Sequence, residues 1–255
     1  MKIPKRYEDL TVDQFQKLEE LKLNDTLDNL DKAVLRLSIL SGEAIEHIES
    51  LSPKKVYDYL LDAFFLTQPI TDLICPDEIK IGGIKFRYIK DLYDYNICQE
   101  KDWKEMVRVN EGNYLKVLPE LMAICHQEYE NGKWLYNSNN HNRNVELFKQ
   151  SKLSESLGAV FFLFKIFENL HKSYSGLFSG ASQSNRGSEA NDDGRLRVSD
   201  FFERWGWEYS VGLVVKDTNL TEDQIFEWSV TRYYNKLAYL KDKGKFEIAL
   251  NGSGR

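Results

Sequence analysis

The sequence predicts a mainly α-helical protein: a multi-helix N-terminal domain with one small β-hairpin, a flexible linker and a C-terminal helical hairpin. Three observations carry this. Helix-start signals recur along the chain, apolar residues follow them at spacings of three and four, and a Gly/Ser-rich stretch interrupts the pattern near Ser175. The predicted boundaries are 1–174 for the helical domain, 175–198 for the linker and 199–250 for a small aromatic-rich helical module.

The first helix opens at LTVDQF, where Thr11 can cap, Gln14 at N3 can reach back, and Leu10 and Phe15 occupy the two positions of a hydrophobic staple. Asp28 or Asn29 opens the next, with Val34, Leu37 and Leu40 on one face and Ser41-Gly42 as its stop. A short helix from Glu43 should turn Ile45 and Ile48 inward. Ser52 caps another running to about Leu66, because Pro53 fits the first helical position, where its missing N–H is not needed. In IKIGGIKFRYI, Gly82-Gly83 suits a two-residue turn with positive φ; Ile79, Ile81, Ile84 and Phe86 share a face, and Lys80, Lys85 and Arg87 point outward. Two strands alone are marginal, so this hairpin, near 79–89, must lie on the helices.

Helical pattern resumes from Glu100 to Val109 around Trp103, Met106 and Val107. NYLKVLPELMAICHQEY extends it, with Pro119 either kinking one helix or beginning a second. YNSNNHNRN is a polar loop, treated from Asn137 to Asn144 as solvated, and a short amphipathic turn around Val145, Leu147 and Phe148 follows. The most apolar helix starts near Ser154 and presents Leu157, Val160, Phe161, Phe164 and Phe167; being apolar nearly all round, it is the expected centre of the first domain.

Residues 175–198 hold four glycines and five serines, too little apolar surface to offset the entropy of ordering. As a tether they would span roughly 25 to 30 Å. Beyond them Ser199 can cap a helix with Phe202, Trp205, Tyr209 and Leu213 on one stripe. Thr221 and Gln224 repeat the capping grammar, and a final helix from Glu222 to about Lys243 carries Phe226, Val230, Tyr233, Leu237 and Leu240.

Net charge is −6, divided as −5 before Ser175, 0 in the linker and −1 after it. No basic stripe suits phosphate binding, so nucleic acid is not an expected partner. The opening MKIPKRYEDL lacks the apolar segment of a secretory signal, and the longest apolar run, Leu157 to Phe164, is far short of the ~20 residues of a membrane span. Three widely spaced cysteines, Cys75, Cys98 and Cys125, suit reduced thiols and a cytosolic protein.

No residue cluster has the pattern of a catalytic or metal site. Glu43 and His47 lie one helical turn apart and Cys125 adjoins His126, but the paired ligands of a zinc site are absent, so neither metal nor cofactor is expected. His141 and His171 have no partner in sequence. Gly180, Ser182 and Ser184 lack the second glycine of a nucleophile elbow, and Gly82-Gly83 precedes a strand rather than a phosphate-cradling helix. The aromatics are more informative. Three of five tryptophans fall after Val198; Trp205 fits the helical seam, whereas Trp207, Trp228 and Tyr239 fall off it and must either pack on the first domain or bind a partner.

PKRYEDLTVDQFQKLEEL, LDKAVLRLSILSGEAIEHIESLSPKKVYDYLLDAFFL, IKIGGIKFRYIKDL and SESLGAVFFLFKIFENL together resemble phage tail assembly chaperones in the order and spacing of elements over most of the first 170 residues. YYNKLAYLKDKGKFE is similar to the carboxyl ends of small phage tail accessory proteins. The resemblance implies a non-enzymatic factor that binds the tape measure protein, keeps that long helical chain soluble and helps recruit tail tube subunits. The two-module layout resembles the long form of the family. It implies the cytoplasm of an infected bacterial host, no catalytic residues, no cofactor and no membrane, and it is compatible with a homo-oligomer. The alternative is a structural subunit that stays in the virion and acts through protein–protein contacts.

Overall fold

The computed structural model describes residues 1–70, 75–111, 113–178 and 198–252. In chain order its helices are α1 (Val12–Leu23), α2 (Asn29–Ser41), α3 (Ile45–Glu49), α4 (Pro53–Asp62), α5 (Ile97–Val109), α6 (Leu118–Cys125), α7 (His141–Gln150), α8 (Leu153–Ser173), α9 (Ser175–Phe178), α10 (Val198–Thr218), α11 (Glu222–Phe226) and α12 (Val230–Gly252). The strands are β1 (Glu78–Ile81), β2 (Ile84–Tyr88), β3 (His126–Glu130) and β4 (Lys133–Leu135). The chain is mainly helical, as its sequence predicts. It divides into two compact units, Met1–Ile89 with Asp102–Leu163, and Lys90–Lys101 with Phe164–Arg255. These boundaries fall inside α5 and α8, whereas the sequence pattern changes at Ser175. Of the expected linker, Ser175–Phe178 is helical and α10 begins at Val198; the rest lies outside the described residues.

In the first unit, α1 begins as its sequence dictates. The Thr11 hydroxyl accepts from Gln14 N–H at 3.1 Å, Gln14 Oε1 accepts from Thr11 N–H at 3.0 Å, and the staple residues Leu10 and Phe15 are buried. Gln14 also ties α1 to α2, donating through Nε2 to the carbonyls of Ile39 and Leu40. Asp28 caps α2, whose end turns on Gly42 at φ 74°. Ser52 stands before Pro53 without a capping bond from its side chain. One sequence expectation fails nearby. Ile45 is exposed, since α3 has one turn and buries only Ile48. Of the two readings open for Pro119, the second holds: it lies in the first turn of a new helix, α6.

The expected hairpin is half of a four-stranded antiparallel sheet in the order β1-β2-β3-β4. The helical reading of AICHQEY is wrong beyond Cys125: His126 to Glu130 form β3 against β2, and Asn131-Gly132, at φ 49° and 82°, turns the chain into β4. Gly82 has two reasons to be glycine. Its φ is 56°, and a Cβ there would lie 2.5 Å from Leu147 Cδ2 of α7. Phe148 of the same helix meets Phe86 at 5.2 Å and His126 at 4.8 Å between ring centroids, so α7 packs on the sheet's inner face.

The start of α1 is also joined to the start of α8 by an antiparallel bridge between Thr11 and Lys152. Val12 N–H donates to Ser151 C=O at 3.1 Å, and Leu153 N–H donates to Leu10 C=O at 2.8 Å. Along α8, Leu157, Val160, Leu163 and Phe167 are buried, but Phe161 is exposed; a helix apolar on every side leaves its partnered face undecided from sequence alone.

The second unit uses the same device. Asn96 bridges Ser229, with Ile97 N–H donating to Trp228 C=O at 3.0 Å and Val230 N–H to Tyr95 C=O at 2.8 Å, so the starts of α5 and α12 are joined. Asn96 and Gln99 make a reciprocal cap on α5. This bridge breaks the continuous helix expected from Glu222 to Lys243. Its capping box at Thr221 and Gln224 forms, but α11 stops at Phe226 and α12 starts at Val230. On α10 the seam is not the expected Trp205, Tyr209 and Leu213 stripe. Val211 and Val214 are buried instead, Trp207 packs on Tyr233 at 5.8 Å, and Ser210 Oγ lies 2.7 Å from the Tyr233 hydroxyl. Both sides of α10 are apolar, so spacing alone does not choose between them. The side chain of Phe202 lies outside the described residues.

Candidate functional site

The first candidate surface is α4. SPKKVYDYLLDAFF is amphipathic, and a helix of this kind ordinarily buries its apolar side. Here Val56, Tyr59 and Leu60 are partly buried, and a second apolar stripe is left open. Tyr57 and Leu61, one turn apart, are 62% and 55% exposed, and Phe64, in the single 3₁₀ stretch that follows, is 60% exposed. Covering half of each of these side chains stabilises an association by about 1 kcal/mol apiece.

The second surface lies in the C-terminal unit, where the three sequence-nominated aromatics part company. Trp228 is 8% exposed because it precedes the cap of α12: its carbonyl accepts from Ile97, and the Arg232 guanidinium covers its ring at 3.7 Å. Trp207 is half-buried against Tyr233. Tyr239 alone of the three is largely exposed, with Lys236 Nζ 5.0 Å from its ring centroid. Phe246 and Leu250, exposed as well, follow it at spacings of seven and four, which places all three on one stripe of α12. Trp205, assigned to the seam by its spacing, is exposed too.

Titratable groups converge on the inner face of the sheet. Glu128 of β3 is buried. Its carboxylate takes hydrogen bonds from Arg143 and Asn144 of α7 and, at 3.3 Å, from Asn140, which also bonds Glu130. The polar run 137–144 is therefore not the solvated loop expected. Its second half is helical and clamps α7 to β3. His126 donates through Nδ1 to Met122 C=O at 2.7 Å, and burial pushes its imidazole down to about 4. His141 is likewise lowered by burial, against the opposing pull of Asp102 and Glu120, and Tyr136 donates to Asp102 at 2.7 Å. In the C-terminal unit the Tyr234 hydroxyl donates to buried Glu100 at 3.0 Å; burial raises Tyr233 to about 12 and raises Tyr234 further. Cys125 is buried and its thiol is raised by desolvation, which disfavours a reactive thiolate. Among the described residues no group of three or more His, Cys, Asp or Glu side chains is placed to hold a metal ion, and no helix is long and apolar enough to cross a membrane.

No family model, curated protein or solved structure matches this chain. Function rests on its own surfaces. The polar networks join elements within each unit, whereas the exposed apolar stripes on α4 and α12 have no such internal role.

Proposed function

We propose that the protein is a non-enzymatic chaperone that holds an amphipathic helical client, in the manner of the phage tail assembly chaperones its sequence resembles, with the tape measure protein as client. The observation that carries this reading is the exposed apolar run of Tyr57 and Leu61 on α4 with Phe64 just beyond its end. A client helix laying its own apolar side against such a face would use the helix-in-groove mode of recognition. The stripe of Tyr239, Phe246 and Leu250 on α12 offers a second grip, and two weak grips on one chain raise avidity. The client protects these surfaces from self-association, and they keep the client soluble.

The test is co-expression of the full chain with the tape measure protein of the same phage, followed by purification at low salt. A soluble complex is expected, weakened by Tyr57→Asp/Leu61→Asp and by Tyr239→Asp/Phe246→Asp. Those four side chains are exposed, so the variants should fold. Absence of a complex, or a complex indifferent to both variants, refutes the proposal. A stoichiometric presence of the protein in purified particles would favour the virion-subunit reading instead.

A further inference from the structure

A small cavity in the first unit holds an arrangement that the client-binding reading does not use. It measures about 170 Å³ and is lined by Leu18, Leu21 and Lys22 of α1, Lys32 and Arg36 of α2, and Leu66 with Thr67 of the 3₁₀ stretch after α4. The three leucines are buried and form an apolar floor. Three cationic residues complete the lining. Lys22 pairs with Glu19, but Lys32 and Arg36, one helical turn apart and half-buried, make no ion pair among the described residues. Half-burying two like charges side by side without an acid is unfavourable, from desolvation and from mutual repulsion at the i, i+4 spacing. Asp28, four residues before Lys32, is occupied in capping α2.

We propose that this cavity binds a small organic acid, a single carboxylate on a compact apolar body. The Arg36 guanidinium presents a planar fork that matches both carboxylate oxygens, and the Lys32 ammonium supplies a second charge-assisted bond. Thr67 Oγ1 already donates to Phe64 C=O at 2.9 Å and accepts from Gln68 Nε2 at 3.3 Å, so it offers the anion no donor and the anion is held by the cations. The leucine floor decides between anions. Inorganic phosphate would gain nothing from it, whereas a phenyl or branched alkyl group would be covered by it. The volume suits this size, since a cavity of about 150 Å³ accepts a benzene ring.

The experiment is calorimetric titration of the full chain at constant ionic strength with benzoate, isovalerate, benzyl alcohol and inorganic phosphate. Backbone amide shifts around Leu18, Leu21, Leu66 and Thr67 locate the site in the unmodified protein. Both carboxylates should bind, and the alcohol and phosphate at least about tenfold more weakly, the discrimination expected when a charge-assisted bond or an apolar contact is removed. Lys32→Met/Arg36→Met should lose that same factor, and Leu66→Trp, which fills the cavity, should abolish binding. The proposal is overturned if benzyl alcohol or phosphate binds as tightly as benzoate, if the shifts map elsewhere, or if the double variant retains full affinity. Should that variant fail to fold, the ligand series and the shift map on the unmodified chain decide alone.

Discussion

Replacing Val230 by proline should destabilise the C-terminal unit, although proline is ordinarily welcome at the first position of a helix. The reason is the bridge between helix starts. Val230 N–H is directed across the bridge to the Tyr95 carbonyl at 2.8 Å, and Tyr95, Ile97, Trp228 and Val230 are all buried around it. Proline removes the donor and takes that bond from a carbonyl with no ready access to water, a loss of about 1 to 3 kcal/mol. Part of any measured effect will come from the changed side chain, so Val230→Ala supplies the subtraction. Glu222→Pro is the counterpart at the first position of α11, exposed and preceded by an extended Thr221 at ψ 161°, and it should change stability by no more than about 0.5 kcal/mol. Urea unfolding followed by tryptophan fluorescence reads all three, with Trp228 beside the bridge. If Val230→Pro is no more destabilising than Val230→Ala, the bridge contributes nothing and the account of how α11 and α12 are separated is wrong.

Gly82→Ala should cost more than Gly83→Ala in thermal unfolding: both have positive φ, but only at Gly82 does a Cβ strike Leu147, so Leu147→Ala should recover part of the loss, and equal costs would contradict the close approach. Burial holds the His126 imidazole near 4 against an ordinary 6.5, so the unfolded chain takes the proton first. Its contribution is therefore complete above pH 6.5 and is lost as pH falls toward 4, on the order of 3 kcal/mol in all; urea midpoints of His126→Gln should decline less over that window than those of the unmodified protein, and parallel profiles would count against it. Lys32→Met/Arg36→Met without ligand should melt no lower than the parent, since it removes two unpaired half-buried charges; a marked loss of stability would mean these cations are structural.

What the sequence made legible is what short-range chemistry controls. Capping boxes at Thr11 and Thr221, the Gly42 stop and the Gly82-Gly83 turn each involve residues within a few positions of one another, and each formed. The second hairpin was missed although Asn131-Gly132 is a strong turn signal, because the apolar run ahead of it masks the change from helix to strand at His126. The remainder was decided by distant residues. Nothing near Ser229 announces that Asn96 will pair with it, and without that bridge the burial of Trp228 and the interruption between α11 and α12 have no local cause. The same holds for Glu128, whose partners Arg143 and Asn144 lie in a stretch that composition alone assigns to loop. Helices apolar on two sides, α8 and α10, left Phe161 and Trp205 without an assignable face.

The claim that α4 receives a helical client is tested most directly by site-specific photocrosslinking in cells co-expressing the tape measure protein. A p-benzoylphenylalanine at position 57, 61 or 64 should crosslink to the client, while the same group at Lys55, on the other side of α4, should not. Equal crosslinking from Lys55, or none from the three apolar positions, would contradict the account.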